Sequence, residues 1–440
     1  MKKAPSPIVS LIPIIVLVLL LFATIRTFGS DALSGGSQVS LLTTTAICIL
    51  IGMVFYKIPW KDYELAITNN IAGVATAIII LLIIGALSGI WMISGVVPTL
   101  IYYGMQIIHP SFFLASTCII CALISVMTGS SWTTIATIGI ALMGIGKAQG
   151  FEDGWIAGAI ISGAYFGDKI SPLSETTILA SSITDTPLFR HIRYMMITTV
   201  PSLVITLIIF TVAGFSHDAN NTQHIAEVAT ALNEKFHITP WLLIVPVATG
   251  ILIAKKVPSI VTLFLSTLLA AVFALIFQPD LLEEISGIAA SGFDSLFKGL
   301  MMTIYGETNL HTDNAVLTDL IATRGMSGMM NTIWLILCAM CFGGAMTASG
   351  MVGSITSIFV RFMKKTVSVV SATVCSGLFL NLTTADQYIS IILTGNMFRD
   401  IYAKKGYESC LLSRTTEDAV TVTSVLIPWN SCGMPQATIL

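Results

Sequence analysis

The sequence GDKISPLSETT, residues 167–177, places two acids, a lysine, four hydroxyl side chains and a proline inside an apolar stretch that extends over 154–184. Pro172 prevents a continuous helix and pushes the residue before it toward extended geometry. Ionisable groups are costly inside a bilayer, and irregular backbone is tolerated there only where it is buried in protein or lines an aqueous cavity. The stretch 154–184 therefore predicts a re-entrant hairpin or a broken helix pair with a polar tip.

The composition of the whole chain is typical of a membrane protein. Of 440 residues, 55% are hydrophobic and 10% are charged, and the mean hydropathy is +0.89. Soluble domains carry about 25% charged residues, so this chain cannot cover a water-facing surface. The net charge of −2 leaves no basic field for a phosphate backbone. A soluble enzyme and a nucleic-acid-binding protein are both excluded.

Apolar stretches long enough to span a bilayer recur along the chain. A spanning helix needs about 20 apolar residues, and the first such stretch, Ile8–Phe28, is interpreted as a retained helix because no signal-peptide cleavage pattern follows it. Further stretches lie near 39–57, 69–108, 111–147, 154–184, 193–215, 239–256, 258–278, 330–360, 367–397 and 406–430. Several are too long for one span, so we expect breaks within them. The prediction is an all-α polytopic membrane protein with about 10–12 transmembrane or re-entrant segments.

Positive charge in short loops predicts the orientation, because lysine and arginine favour the cytoplasmic side. Lys2 and Lys3 place the N-terminus in the cytoplasm. The count then places loop 216–238 outside and both Lys147 and Arg190 inside. The segment between those two residues would have to enter and leave from the same face.

The two halves of the chain share three weak matches in the same order. The first two have an offset of 255 residues and the third an offset of about 250, which places Asp168 near Asp418. The matches are WMISGVV at 91–97 with MTASGMV at 346–352, MTGSSWTT at 127–134 with LTTADQYI at 382–389, and GDKISPLSETT at 167–177 with SRTTEDAVTVTS at 413–424, which IPWNSCG follows. They predict an internal duplication.

The predicted orientation makes the two copies inverted, because 69–108 runs outward and 330–360 runs inward. Inverted repeats with interrupted helices are typical of secondary transporters, whose sites form where the breaks meet. The predicted organisation is N-terminal helices over 1–68, a first repeat over 69–215 with a hairpin near 154–184, connecting segments over 216–329, and a second repeat over 330–440 with a hairpin near 406–430.

The residues at the interruptions are the candidates for ion and proton binding. Hydroxyl and carbonyl oxygens suit a hard cation such as sodium, and a carboxylate at that depth needs a cation or a proton. The candidates, which would also bind sodium as the metal, are Asp168, Asp386, Asp418, Glu175, Glu417, Thr128, Ser130, Ser131, Thr133, Ser171, Ser174, Thr384, Gln387, Thr421, Thr423, Ser424 and Asn430.

Structural roles compete with these assignments. Serine and threonine in membrane helices commonly bond to a backbone carbonyl or pack at helix contacts, and Glu175 or Glu417 could face a loop. The sequence has no HExxH motif and no in-span histidine beside a serine. We therefore expect no enzyme activity and no cofactor beyond transported sodium and protons.

Four motifs resemble the NhaC-type sodium/proton antiporter family, from roughly Gly73 to the C-terminus. They are FGDKISPLSETTILA at 166–180, TPLFRHIRYM at 186–195, NTIWLILCAMCFGG at 331–344 and RTTEDAVTVTSVLIPWNSCG at 414–433. The resemblance implies inverted repeats, re-entrant hairpins and exchange of sodium for protons across a bacterial plasma membrane. Some close relatives couple sodium and proton movement to exchange of malate and lactate.

Two features depart from the family pattern. Thr347 stands where many members have an acid, so an ion-binding role is not expected at that position. The chain ends at Leu440, shortly after Pro428, whereas members usually continue through another apolar helix. We therefore expect this end to be truncated.

Two alternative functions remain open at this point. Sodium- and proton-coupled antiport of small organic anions such as malate and lactate would use Lys169, Asn381, Asn430 or half-helix N-termini to contact carboxylates. An ion channel could use the same oxygen-rich breaks without obligatory exchange. The expected partners are sodium, protons, small carboxylates and the lipid bilayer, with no nucleic acid, and a homodimer is left open.

Overall fold

The computed structural model describes residues 5–29, 34–216, 222–255, 257–288, 290, 292–308, 310, 318, 321–355 and 366–440. Within these ranges the regular secondary structure is helical and includes no strand. Lys2 and Lys3, on which the predicted orientation of the N-terminus depends, lie outside the described residues.

The helices of the first half of the chain follow the predicted apolar stretches. They are α1 (Pro7–Phe28), α2 (Gly36–Tyr56), α3 (Trp60–Ile93), α4 (Val96–Ile107), α5 (Pro110–Thr128), α6 (Ser131–Thr134), a π-helical turn (Ile135–Gly139), α7 (Ile140–Ala148), α8 (Asp153–Ile170), α9 (Glu175–Ile183) and α10 (Leu188–Ser216). The stretches 69–108, 111–147 and 154–184 are each broken, as the sequence predicts.

The second half is also helical and interrupted. Its elements are α11 (Thr222–Lys235), a 3-10 turn (Pro240–Leu243), α12 (Ile244–Ala254), α13 (Ser259–Phe277), α14 (Pro279–Ser286), α15 (Phe293–Tyr305), α16 (Gly325–Gly328), α17 (Met330–Ala348), α18 (Thr366–Thr384), α19 (Gln387–Lys404), α20 (Ser409–Ser424) and α21 (Gly433–Ile439).

Eight helical segments of the described chain are long and apolar enough to cross a membrane, and a bent pair, Glu227–Lys235 with Pro240–Ala254, makes a ninth if it counts as one span. The helices at the predicted hairpins, α8, α9 and α20, are shorter or more polar than these segments. The predicted all-α polytopic class is confirmed.

Two compact units divide the chain. One unit comprises 1–78, 175–195 and 331–437, and the other comprises 79–174, 196–330 and 438–440. Below, the first is called the 331–437 unit and the second the 79–174 unit. Each unit contains one of the two predicted sets of interruptions. The domain boundaries expected from the sequence stay a prediction.

Close packing between α5 and α8 fixes the 79–174 unit around its polar break. Gly167 lies so near α5 that a Cβ atom there would stand 2.6 Å from the backbone nitrogen of Val126. The side-chain hydroxyl of Ser125 donates a hydrogen bond to the carbonyl oxygen of Ala164. Small residues on α8 therefore allow the two helices to approach closely enough to hold Asp168 beside the end of α5.

Apolar clusters hold the corresponding helices of the 331–437 unit. Val369, Phe398 and Leu412 are fully or almost fully buried in a cluster that joins α18, α19 and α20. Ile391 and Val420 belong to a second cluster, which brings α9 against α19 and α20. This packing positions the break between α18 and α19 beside the end of α20.

The first predicted repeat match is visible in the backbone. Gly95 ends α3 with φ of +84° and Gly350 follows α17 with φ of +72°, both in the left-handed region that favours glycine. The hydroxyl of Ser94 donates to the carbonyl oxygen of Trp91, and that of Ser349 donates to the carbonyl oxygen of Met346. The offset of 255 residues holds at this pair of breaks.

Candidate functional site

The break between α5 and α6 exposes side-chain and backbone oxygens inside the 79–174 unit. Gly129 adopts φ of +68°, and Ser130 is extended, so α5 cannot continue into α6. The Ser130 hydroxyl then caps α6 by accepting a hydrogen bond from the backbone nitrogen of Thr133 at 3.2 Å. Thr128 closes the turn, because its hydroxyl accepts from the backbone nitrogen of Ser130 at 3.1 Å.

Asp168 lies beside this break, near the end of α8, and its side chain is 6% exposed. Ser131 donates to one carboxylate oxygen at 2.7 Å and Ser174 donates to the other at 2.6 Å. The break, Asp168, Ser131 and Ser174 together form what is called below the Asp168 cluster.

Ser171 has a different role from its neighbour Ser174. Its hydroxyl donates to the carbonyl oxygen of Val126 at 2.8 Å and accepts from the backbone nitrogen of Leu173 at 3.2 Å. It therefore fixes the tip after α8 to the end of α5. The exposed Pro172 follows it, where α8 has already ended, as predicted.

The break between α18 and α19 places a carboxylate at a helix cap inside the 331–437 unit. Ala385 adopts φ of +57°, and Asp386 is extended and 2% exposed. Its carboxylate accepts from the backbone nitrogen of Ile389 at 2.9 Å and from the Ser431 hydroxyl at 2.8 Å. Thr384 closes the turn by accepting from the backbone nitrogen of Asp386 at 3.4 Å.

Residues of α20 and of the segment after it complete this second group. Ser424 donates to the amide oxygen of Gln387 at 3.3 Å. Asn381 donates to the Thr423 hydroxyl at 3.0 Å, and Asn430 donates to the carbonyl oxygen of Asn381 at 3.2 Å. These residues and the α18–α19 break are called the Asp386 cluster.

Two buried side-chain oxygens on α18 and α20 have no hydrogen-bond partner among the described residues. They are the amide oxygen of Asn381, which belongs to the Asp386 cluster, and the hydroxyl of Thr421 on α20, and both residues are fully buried. Buried polar atoms are normally satisfied by protein, water or an ion. These oxygens therefore mark where a further ligand or donor would be accommodated.

The remaining candidates are placed less centrally. Thr133, which is buried, donates from its hydroxyl to Ser130 at 3.1 Å. Glu175 is exposed and accepts from the Tyr388 hydroxyl at 3.0 Å. Glu417 is buried and Asp418 half-buried in α20, about two turns before Ser424. Their ion-binding roles stay predictions.

The offset between the two clusters is 256 residues, which corrects the sequence register. The left-handed residues Gly129 and Ala385 stand at this offset, and so do Pro172 and Pro428. The match of 127–134 with 382–389 is therefore wrong by one residue. The pairing of Asp168 with Asp418 is wrong by six residues, because Asp168 corresponds to Ser424.

Hydrogen bonds repeat between the clusters at this offset of 256 residues. Three pairs lie at the helix caps: Ser130 N to Thr128 Oγ1 (3.1 Å) with Asp386 N to Thr384 Oγ1 (3.4 Å), Thr134 Oγ1 to Ser130 O (3.0 Å) with Ser390 Oγ to Asp386 O (2.7 Å), and Thr133 N to Ser130 Oγ (3.2 Å) with Ile389 N to Asp386 Oδ1 (2.9 Å). One pair joins two helices: Ser125 Oγ to Ala164 O (2.5 Å) with Asn381 Nδ2 to Val420 O (2.7 Å). One pair lies at the tips: Ser174 N to Ser171 O (3.2 Å) with Asn430 N to Ile427 O (3.0 Å).

Sequence reasoning missed Ser431 and Tyr388 as site residues and considered Asn381 only as a contact for organic anions. Ser431 directly follows Asn430 in the motif IPWNSCG, so its neighbour could have drawn attention to it. Tyr388 is the second residue of α19 and carries no signal of its own. Its contact with Glu175 depends on how α9 packs against α19.

Each cluster carries a half-buried tryptophan. Trp132 directly follows Ser131, which bonds to Asp168. Trp429 directly precedes Asn430, and its indole nitrogen donates to the carbonyl oxygen of Leu382 at 3.0 Å. Each tryptophan is therefore a sequence neighbour of a residue of its cluster.

The chain is similar to known antiporters. Residues 163–440 match the family described as the Na+/H+ antiporter family. The chain is 35% identical to "Na(+)/H(+) antiporter NhaC" of Bacillus subtilis over 91% of its length and 85% of that protein. It is 36% identical to "Malate-2H(+)/Na(+)-lactate antiporter" of the same organism, over 92% and 83% of the two chains.

A more distant relative extends the range of transported molecules. The chain is 31% identical to "Arginine/ornithine antiporter ArcD" of Halobacterium salinarum, over 100% of its length and 87% of that protein. The names of these relatives therefore agree on antiport and differ in what is exchanged.

Proposed function

Because this chain belongs to the Na+/H+ antiporter family, we propose that it exchanges sodium for protons across a bacterial plasma membrane by alternating access. The observation that carries the proposal is the buried carboxylate of Asp168, which accepts hydrogen bonds from Ser131 and Ser174 beside a broken membrane helix. Asp386 provides a second such group at the other break. Asp418 is included as a third acid on the strength of its position in the sequence.

Competition for the same carboxylate would couple the two ions. A buried carboxylate is destabilised by the loss of water and regains stability from a proton or from a cation. Protonation removes the charge that attracts sodium, whereas bound sodium favours the ionised form. A carboxylate that carries only one of the two at a time makes their exchange obligatory.

Alternating access requires that the sites open to each side of the membrane in turn. We infer two repeats of inverted topology with hairpins near 154–184 and 406–430, and an N-terminus in the cytoplasm. Repeated backbone geometry at the breaks supports the duplication, and the distribution of lysine and arginine supports the inversion.

A second candidate function is sodium- and proton-coupled exchange of small organic anions. The relative named as a malate/lactate antiporter favours it, and its coverage includes most of this chain. Lys169, Asn381 and Asn430 are all buried and would contact carboxylates. An ion channel, the alternative of another class, does not fit a family whose members are named antiporters.

Proton flux in proteoliposomes tests the proposal. A sodium gradient alone should drive proton movement, and Asp386→Asn should abolish that movement while the protein remains folded. A suitable control is Asp185→Asn, since Asp185 is exposed, pairs with Arg399 at 3.3 Å and has a left-handed φ that asparagine tolerates.

The outcomes separate the candidate functions. Flux that appears only after malate or lactate is added would favour organic-anion exchange. Sodium conduction without proton movement would indicate a channel. Wild-type rates in the Asp386→Asn variant would remove Asp386 from the mechanism.

A further inference from the structure

The two clusters repeat one framework but place their acid at different positions in it. At the helix cap, the Asp168 cluster has Ser130 and the Asp386 cluster has Asp386. At the end of α8 the Asp168 cluster has Asp168, and at the end of α20 the Asp386 cluster has Ser424. One carboxylate and one hydroxyl have thus exchanged places.

We propose that each cluster binds one sodium ion, so that the chain carries two cation sites of one design with the carboxylate transposed between them. The inference rests on the proposed function for the identity of the ion. It adds the number of sites, the residues of each, and the equivalence of the two carboxylate positions.

In both clusters a hydrogen bond joins the residue after the helix cap to the residue at the end of α8 or α20, although the residue types differ. In the Asp168 cluster, Ser131 donates to Asp168 at 2.7 Å. In the Asp386 cluster, Ser424 donates to Gln387 at 3.3 Å. Gln387 stands at the position of Ser131, and Ser424 at that of Asp168. The residue after the cap therefore contacts the end of α8 in the Asp168 cluster and the end of α20 in the Asp386 cluster.

The donor set favours a single monovalent cation in each cluster. Each holds one buried carboxylate, and in the first cluster buried Lys169 directly follows Asp168, so net charge alone does not define the site there. Hydroxyl groups contact both acids, namely those of Ser131 and Ser174 at Asp168 and that of Ser431 at Asp386. Such neutral oxygens with one carboxylate suit sodium.

The buried amide oxygen of Asn381 gives independent support for a ligand in the Asp386 cluster. It has no hydrogen-bond partner among the residues that the structure describes, and Asn381 is not exposed to solvent. Asn381 is tied into the cluster by its bonds to Thr423 and Asn430. An ion would satisfy oxygens of this kind, which otherwise carry a desolvation cost.

Asp168 accepts hydrogen bonds from Ser131 and Ser174 within the 79–174 unit, and Asp386 accepts one from Ser431 within the 331–437 unit. Removal of one acid is therefore expected to remove one bound ion and to leave the other in place.

Sodium binding counted on purified protein in nanodiscs tests the inference, with radioactive sodium and equilibrium dialysis as the measurement. The wild-type protein should bind two sodium ions per chain. Asp168→Ser and Asp386→Ser should each bind one, and the double variant should bind none. Asp185→Asn, which leaves both clusters intact, should bind two.

Transposition of the acid within one cluster provides the sharper test. Asp386→Ser combined with Ser424→Asp gives the second cluster the arrangement of the first, and Asp168→Ser combined with Ser130→Asp does the reverse. Each transposed variant should recover the second bound ion that its single aspartate variant has lost. If a transposed variant does not fold, the counts from the single variants still decide the number of sites.

Each outcome has a defined meaning. A wild-type count of one, with sodium-driven proton flux intact on the same preparation, overturns the inference and leaves the proposed function standing. Loss of both ions from either single variant shows one shared site and also overturns it. Absence of both sodium binding and sodium-driven flux in the wild-type protein overturns the proposed function as well.

Discussion

At the scale of single residues, Ser171 and Ser174 illustrate two uses of a hydroxyl on one tip. Ser174 donates to Asp168 at 2.6 Å, whereas Ser171 donates to a backbone carbonyl of α5 at 2.8 Å. A hydrogen bond to a charged group contributes about 1.5–3 kcal/mol and a neutral one about 1 kcal/mol. The two residues therefore affect different properties.

Ser174→Ala should raise the half-saturating sodium concentration by roughly tenfold or more, because about 1.4 kcal/mol corresponds to a factor of ten in binding. Its melting temperature should change little. Ser171→Ala should lower the melting temperature and leave sodium dependence close to wild type. Sodium titrations of proton flux and thermal denaturation in detergent measure both properties, and the reverse pattern would contradict the assignment.

Glu408, at the start of α20, tests whether acids outside the clusters contribute to pH dependence. The Cys410 thiol, which donates to its carboxylate at 3.2 Å, and the nearby Arg190 guanidinium hold the pKa of Glu408 below its ordinary value. A lowered pKa keeps Glu408 ionised at neutral and alkaline pH. Any stability from this pair is present above the ordinary pKa and lost as the pH falls through the lowered one.

Glu408→Gln should therefore leave the pH profile of exchange unchanged at neutral and alkaline pH. Proton flux measured across that range provides the comparison, with Asp386→Asn as the variant that removes activity. A shift of the profile in Glu408→Gln would mean that protons exchange at this surface acid.

Single residues also mark the limit of sequence reasoning about the site. Asp168 and Asp386 could be predicted because acids inside apolar stretches are rare and costly. Ser431 could not be separated from the many other hydroxyl residues, since its role depends on the approach of its chain segment to the α18–α19 break. The exposure of Glu175 could not be predicted, because it depends on where α9 begins.

At the scale of elements, the two breaks differ in how they reach the left-handed conformation. Gly129 does so without a side chain, whereas Ala385 does so with one, at φ of +57°. A left-handed conformation costs a residue with a side chain roughly 1–2 kcal/mol. At Gly129 a Cβ atom would also lie 2.6 Å from the Cβ of Leu173.

Gly129→Ala should therefore lower the melting temperature and impair exchange, because the tip after α8 would have to move. Ala385→Gly is the matched control, since relief of strain is offset by loss of a buried methyl group, worth about 0.8 kcal/mol, and by a more flexible unfolded chain. Its melting temperature should stay near wild type. Equal destabilisation by both substitutions would contradict this account.

Element boundaries explain why the sequence register was wrong. The similarity of the acids near 168 and 418 suggested an offset of about 250 residues, whereas Pro172 and Pro428, which follow the ends of α8 and α20, stand 256 residues apart. Proline restricts the backbone directly, so it marks the end of a helix more reliably than a carboxylate does. The acid stands at different positions in the two clusters, whereas the ends of α8 and α20 stand at equivalent positions.

At the scale of the whole molecule, the predicted orientation can be tested by labelling. In a background without the eight native cysteines, Glu234→Cys should react with a membrane-impermeant maleimide in intact cells and Lys61→Cys should not. Both positions are exposed, so access to the residue is not limiting. Lysed cells, in which both should react, provide the control, and the opposite pattern in intact cells would reverse the topology.

The membrane class and the interruptions of the helices could be predicted from the whole sequence because they depend on hydropathy, proline and glycine. The grouping of distant segments of the chain into two units could not be predicted from the sequence. Residues 175–195 belong to the 331–437 unit, although they follow the Asp168 cluster directly in sequence. That grouping depends on the packing of α9 against α19 and α20, which local patterns do not encode.

The tryptophans beside the two breaks give the molecule a native optical readout. Trp132 adjoins Ser131 of the Asp168 cluster, and the Trp429 indole bonds to Leu382 near Asp386. Indole emission responds to nearby charge and solvent, so ligand arrival at either cluster would change the fluorescence of its own ring. Phenylalanine at the other six of the seven tryptophan positions would leave Trp132 or Trp429 alone to report on its own cluster, and the time course of each could then be followed separately in a protein without an attached dye.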